Sequence, residues 1–295
     1  MAEPHSFAEP PLAGFQQRVA VGALQREEQS RFQHLEVLDT APFGRMLVLD
    51  NAVQTTLVDE AAYHEMLVHV PLLAHPRPRE VLIIGGGDGG ALRRVLQHPV
   101  DHALQVEIDE AVIRVSRELM PEISAGAYDS PRATVIVGDG IAFLESHQGA
   151  FDAILIDSTD PVGPAEGLFS TEFYTSVRRA LRVGGVMASH CGSPWLMAEG
   201  WLKTIATLEG VFSTVEPYLA YIPAYPGGLW GMVAASESHS VRQPLMDRIA
   251  ELDGGLDDLS YYTPDLHRAS FALPARLARR QPLFAVQPPE PTEAS

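Results

Sequence analysis

Hydrophobic positions change their period once along this chain, near residue 58. Between residues 15 and 58 they form short alternating or apolar runs, RVAVGAL, FQHLEVLDT, GRMLVLDN and AVQTTLV, separated by turn residues. Alternation turns one side of each run toward a core, so residues 15–58 predict a small N-terminal antiparallel β domain. From Asp59 the period becomes helical. Tyr63, Met66, Leu67 and Val70 share a face, Asp59 stands where a helix N-cap belongs, and Pro71 is placed to end the helix.

The rest of the chain, residues 59–285, alternates strand and helix. The strand patterns are EVLIIG, ALQVEID, ATVIVGD, FDAILID and GGVMASH, each followed by a stretch of helical period. These apolar runs are short, continuous and rich in Val and Ile, as strands buried on both faces are, and they predict a Rossmann-like doubly wound parallel sheet. TVEPYLAYIP and GLWGMVAAS read as two more strands around a Pro/Gly turn, with a helix near QPLMDRIAEL. Residues 1–14 and 286–295 are rich in Pro and Glu and poor in core formers, which predicts two loose ends.

Composition narrows the function. The 295 residues carry 21 Lys and Arg against 38 Asp and Glu, a formal charge of -17. That balance repels phosphate backbones and draws cations, so nucleic acid is not an expected partner and a cationic ligand is. One cysteine, Cys191, excludes an intrachain disulfide and fits a reducing compartment. The N-terminal residues lack the basic and apolar regions of a signal peptide, and no window reaches the roughly 18 apolar residues of a spanning helix, so the expectation is cytoplasmic, with no membrane partner.

The candidate chemistry sits at strand ends. VLIIGGGDGGALRRV runs a strand into Gly85, Gly86, Gly87, Gly89 and Gly90 and then a helix, which lets the backbone approach a ligand closely. Such a turn fits dinucleotide, nucleoside and phosphate ligands alike. Glu107, at the end of the next strand, stands where an acid accepts hydrogen bonds from both ribose hydroxyls, which favours an adenosine site. Asp139, in Gly138-Asp139-Gly140, suits either an adenine amine or the N-cap of the following helix. The stretch IDSTDPVGPAE delivers Asp157, Asp160 and Glu166 to the same edge of the sheet, where Asp88 of the glycine turn also lies. Carboxylates converging in one cleft repel one another unless a cation compensates them, and a multiply charged amine would do so.

VLIIGGGDGG, VEID, VGDG, IDSTDPVGPAEGLF and IPAYPGG together resemble spermidine synthase, the polyamine aminopropyltransferase family, over about residues 32–274. The resemblance implies a class I methyltransferase-like fold carrying a small β domain, in homodimers or homotetramers. It implies no cofactor beyond decarboxylated S-adenosylmethionine as co-substrate, with putrescine as acceptor. By position it gives Glu107 to the ribose, Asp139 and Gly140 to the adenine, and Gln33, Gln54 and His64 to the donor. Gly85 and Gly86 belong to the donor turn, and Asp88 would face the donor's aminopropyl ammonium. Asp157 matches the general base and Tyr63 its partner, while Asp160 and Tyr225 lie along the amine. His190 stands where relatives carry a glutamine; it can hydrogen-bond the amine or, if protonated, oppose it.

Other readings remain in view: an aminopropyltransferase for agmatine or cadaverine, an amine N-methyltransferase using intact S-adenosylmethionine, and a non-catalytic polyamine-binding protein. A nicotinamide oxidoreductase ranks last, because the Asp-bearing turn gives no place for a pyrophosphate. No histidine pair has metal-ligand spacing, so no metal is expected.

Overall fold

The structure, a computed structural model, describes residues 6–160 and 163–284. The first sheet is an antiparallel meander, with strands adjacent in chain order: β1 (Ser6–Ala8), β2 (Arg18–Gln29), β3 (His34–Thr40), β4 (Gly44–Leu49) and β5 (Ala52–Thr56). Asp50 and Asn51, both at positive φ, make the two-residue turn between β4 and β5. The composition of residues 1–14 predicts a loose end, and β1 corrects this. Ser6, Phe7 and Ala8 pair with Ala20, Val19 and Arg18, and Phe7 packs on the cluster of Leu38, Met46 and Val48. The opposite face of the sheet, Leu35, Val37, Leu47 and Leu49, packs on Val112, Val115 and Met120 of the following unit. Residues 286–295, expected loose, lie outside the described residues.

The second unit holds strands β6 (Glu80–Gly85), β7 (His102–Glu107), β8 (Ala133–Val137), β9 (Phe151–Asp157), β10 (Leu181–Gly192), β11 (Thr214–Tyr221) and β12 (Leu229–Ser236). They form one sheet in the order β11-β12-β10-β9-β6-β7-β8. Around it lie α1 (Glu60–Ala74), α2 (Gly90–Leu96), α3 (Glu110–Leu119), α4 (Pro121–Ser124), α5 (Gly140–Glu145), α6 (Thr171–Ala180) and α7 (Ala198–Glu209). The shorter α8 (Met246–Ile249), α9 (Pro264–Ser270) and α10 (Ala275–Ala278) close the described chain. Period two persists inside the continuous apolar runs. Val81 and Ile83 of β6 face the α1 and α2 layer, whereas Leu82 and Ile84 face α6 and α7. Among the described residues, no helix is long and apolar enough to cross a membrane.

Four local expectations change. The sheet is mixed: β12 runs antiparallel to both β10 and β11, because a turn as short as residues 222–228 can only join antiparallel strands. β8 is an edge strand, so Ile136 and Val137 are exposed rather than covered on both faces. Asp59 occupies the N-cap position of α1 without capping it; its carboxylate takes the Thr56 hydroxyl at 2.6 Å and the Ala224 N–H at 2.7 Å. Pro71 lies inside α1, whose last turn continues to Ala74 in a fully buried setting.

Strand order reverses at β6, which has β7 on one side and β9 on the other. The carboxyl ends of β6 and β9 therefore flank the crevice where ligands bind in open α/β sheets.

Candidate active site

Gly85 of β6 and Asp157 of β9 are register partners, and the Gly86 N–H donates to the Asp157 carbonyl at 2.7 Å. The backbone thus fixes Asp157 at the crevice and leaves its side chain free. Gly86 has φ +69°, and a Cβ there would stand 2.8 Å from Asp157 Oδ2; a Cβ on Gly90 would collide with the His64 ring. These two glycines make room for side chains of the site as well as for a ligand.

Asp88 lies in the glycine turn, its Oδ1 accepting the Gly90 N–H at 2.8 Å and its Oδ2 3.4 Å from His64 Nε2. The other nitrogen of His64, Nδ1, is 2.8 Å from Glu60 Oε2. Although burial opposes the charge, the two carboxylates raise the His64 pKa well above its ordinary value, so the ring holds a proton, and His64 in turn lowers Asp88. Behind them Glu60 accepts from Arg94 at 3.0 Å, and Arg94 lies 3.3 Å from the fully buried Glu65. Glu65 accepts the backbone N–H groups of Ser260, Tyr261 and Tyr262. A buried polar chain therefore runs from the crevice to the far C-terminal segment.

Asp157 differs from Asp88. Burial raises its pKa to about 6, only partly offset by His64 and Tyr63, and among the described residues its Oδ2 has no hydrogen-bond partner. One ligand atom each from His64, Asp88 and Asp157 lie within 4.8 Å of one another. Asp88 and Asp157 can draw an ammonium there, and the three groups could ligate a metal ion only with His64 deprotonated. Glu107 at the end of β7 is also buried; desolvation moves it to about 7, and Oε1 accepts the Asp109 N–H at 2.8 Å.

Two adjoining chambers open at this edge. The larger is lined by Gln33, Gly85, Gly86, Asp88, Glu107, Asp139, Gly140 and Asp157, with Phe32, Leu47 and Ile141 among its apolar walls. Gln33 donates to Asp109 at 2.9 Å. Asp139 does what the bland expectation gave it: its Oδ1 caps α5 by accepting the Ile141 and Ala142 N–H groups, while the residue also borders the chamber. The smaller chamber is lined by Glu9, Asp160, His190, Pro226 and Trp230. Gln54, Tyr63, Ser158, Thr159 and Tyr225 border both. The Tyr63 and Tyr225 rings meet edge to face at 5.9 Å, and the Tyr225 hydroxyl donates to the Gln54 carbonyl at 2.7 Å. His64 and Tyr63 both border the larger chamber. Every residue to which the resemblance gave a role thus lines one chamber or both, whereas Glu166 is exposed and lines neither; of the loop that follows β9, Pro161 and Val162 lie outside the described residues.

Sequence reasoning missed Glu9 and Trp230. Glu9 accepts the Val53 N–H at 2.7 Å, and burial together with Asp160 lifts its carboxyl to about 7. Its signal was faint: an acid one residue past a three-residue strand, inside a Pro- and Glu-rich stretch.

Known proteins share this arrangement of chain and fold. A family model for the spermine/spermidine synthase domain matches residues 60–244, and one for the spermidine synthase tetramerisation domain matches residues 7–56. The polyamine aminopropyltransferase of Desulforudis audaxviator is 49% identical over 254 residues, 86% of this chain and 90% of the relative. That of Thermoanaerobacter sp. strain X514 is 43% identical over 248 residues, 84% and 87% of the two chains. Among solved structures, a spermidine synthase in complex with the transition-state analogue AdoDATO superposes with a TM-score of 0.89 at 32% identity, covering 96% of this chain and 98% of the other. The spermidine synthase from Thermotoga maritima gives 0.88 at 32% identity, covering 96% and 97%.

Proposed function

This chain belongs to the spermine/spermidine synthase family and is a polyamine aminopropyltransferase by kinship, and we propose that it moves the aminopropyl group of decarboxylated S-adenosylmethionine to putrescine. The observation that carries the reading is Asp157: a half-buried residue whose buried Oδ2 has no partner among the described residues, at the edge of the larger chamber beside its junction with the smaller.

The larger chamber takes the donor. Glu107 receives the ribose hydroxyls, Asp139 and Gly140 border the adenine, and Gln33 and Gln54 border the nucleoside and its sulfur. The donor's ammonium lies by Asp88, which repels the carboxylate that intact S-adenosylmethionine retains. His64 compensates Asp88 before the donor arrives.

The smaller chamber takes the diamine, its far ammonium facing Asp160 and its near nitrogen at Tyr63, Tyr225 and Asp157. A primary amine of pKa near 10 is protonated at neutral pH and cannot attack carbon. Asp157, with a pKa of about 6, is ionised at neutral pH and accepts the proton that the nitrogen sheds as it attacks. The nitrogen lone pair forms the new C–N bond, the C–S bond breaks, and its electrons leave the sulfonium as the neutral thioether of methylthioadenosine. Because the sulfonium leaves readily, alignment across the junction supplies much of the remaining acceleration. Assembly as a homodimer or homotetramer, through residues that match the tetramerisation domain, forms part of the proposal.

Chromatography of methylthioadenosine tests the reading. Release from the decarboxylated donor should require putrescine. Release independent of any amine, or none with any amine, would overturn it.

A further inference from the structure

Asp109 is the N-cap of α3, 3% exposed, and three parts of the molecule meet at it. Its Oδ1 caps the helix by accepting the Ala111 N–H at 3.0 Å, and its own N–H donates to Glu107 Oε1 at 2.8 Å. The other oxygen, Oδ2, reaches out of the second unit to the turn of residues 30–33 between β2 and β3. There it accepts the Ser30 hydroxyl at 2.6 Å and Gln33 Nε2 at 2.9 Å. The Ser30 oxygen in turn accepts the backbone N–H groups of Phe32 and Gln33, at 3.0 Å each, so one hydroxyl both closes the turn and ties it to α3.

A carboxylate oxygen only accepts, so Gln33 must turn its NH2 toward Asp109. That contact settles the amide: Nε2 is held, and Oε1 is the end left to the chamber that Gln33 lines. We infer that Asp109 is a positioning residue of the donor site, which sets the end of the Gln33 amide that the nucleoside meets and so makes a residue of the first sheet part of a site built on the second unit. The inference rests on reading the larger chamber as the donor's and deepens it: Gln33 meets the nucleoside as an acceptor, matched to a hydroxyl or amino group. An untethered glutamine would give up its rotamer freedom only when the ligand arrives, whereas the tethered one has given it up on folding.

Capping alone would require only Oδ1, and Asp109→Asn separates the two roles. Asparagine caps a helix about as well as aspartate, so its oxygen stays with the Ala111 N–H. The hydrogen bond to Glu107 comes from the main chain and survives. The change falls on the side facing the first sheet, where an NH2 now meets the Ser30 hydroxyl and the Gln33 NH2, donor against donor. Gln33 relieves that conflict by turning its amide over. Its oxygen then faces residue 109, and the nucleoside finds a donor where it needs an acceptor.

The test is calorimetric binding of methylthioadenosine to the full chain as wild type, Asp109→Asn, Gln33→Ala and the double variant. Asp109→Asn should weaken binding about ten- to hundredfold, the cost of a polar pair left mismatched. In the Gln33→Ala background the same change should weaken it by no more than about twofold, because the residue through which Asp109 acts is gone. Additive losses, or an Asp109→Asn protein that binds as tightly as wild type, overturn the inference. Binding is read without turnover, so those outcomes leave the donor reading standing, whereas failure of methylthioadenosine to bind wild type overturns both together. Should Asp109→Asn not fold, proton NMR of the Gln33 side-chain amide in ligand-free wild type provides the second arm. One N–H signal shifted downfield and slow to exchange is expected, and a rapidly exchanging pair refutes the tether.

Discussion

Replacing Asp157 by Asn removes the proposed base while disturbing little else. The hydrogen bond that anchors this strand tip comes from the Gly86 N–H to the main-chain carbonyl of residue 157, so it survives the change. Among the described residues the side-chain oxygen Oδ2 has no partner to lose. Folding raises the Asp157 pKa from 3.8 to about 6, so the ionised form is destabilised in the native state. The favourable contribution of this group is complete below pH 3.8 and is lost as pH rises through about 6. At neutral pH its ionisation therefore costs about 3 kcal/mol, at roughly 1.4 kcal/mol per pKa unit. The neutral amide should thus fold at least as stably as wild type, with a melting temperature equal or a few degrees higher. Turnover should behave in the opposite way. Loss of a general base costs about 10²–10⁴ in rate, or roughly 3–5 kcal/mol of barrier. Wild-type kcat should rise with pH through about 6, as Asp157 ionises, and the variant should lack that limb. The assay is methylthioadenosine release under saturating donor and putrescine, beside a thermal melt. A variant that keeps more than a tenth of wild-type kcat with an unchanged acid limb would refute Asp157 as the base.

Asp88→Asn should lower turnover and narrow the preference for decarboxylated over intact S-adenosylmethionine, read as the ratio of kcat/KM values; an unchanged ratio counts against Asp88 as the discriminating charge. Glu65→Ala leaves the buried Arg94 guanidinium with Glu60 as its remaining carboxylate and strands three backbone N–H groups of residues 260–262, which should cost about 3–5 kcal/mol in a denaturant titration; a loss below 1 kcal/mol would contradict the buried chain described above. Burial lowers His98 to about 3 from an ordinary 6.5, so below pH 6.5 the unfolded chain binds more protons than the native one. Stability present above pH 6.5 should drain away as pH falls toward about 3, and His98→Gln should flatten the melting temperature between pH 6.5 and 4; an identical slope in both proteins would dismiss this histidine as a cause. Chelator treatment should leave aminopropyl transfer intact, whereas activity lost to EDTA and restored by a divalent ion would reassign His64, Asp88 and Asp157 to a metal.

What the sequence made readable was mostly what repeats locally. Strands β6 and β9 were visible because their apolar runs are continuous, and the glycine turn because few other patterns crowd so many glycines behind a strand. The direction of β12 was not written in its own residues; it follows from the shortness of the turn before it. Asp59 looks like a cap by position, yet its carboxylate is drawn off by Thr56 and by Ala224, far along the chain. Glu65 and Arg94 look like ordinary helix charges until packing buries both helices and brings residues 260–262 onto Glu65. Glu9 was hidden for the same reason: only the folded β1 carries it to Val53 and the smaller chamber. For Asp59 with Ala224, Glu65 with residues 260–262 and Glu9 with Val53, the contact is remote in sequence, and local propensity holds no trace of it.

The central claim is that this crevice joins an aminopropyl group to an amine. Its most direct test is mass spectrometry of the amine product after incubation with putrescine and an equal mixture of decarboxylated and intact S-adenosylmethionine. The account predicts spermidine, formed in step with methylthioadenosine and without methylated amine. Methylated putrescine, or putrescine recovered unchanged with no methylthioadenosine released, would contradict it.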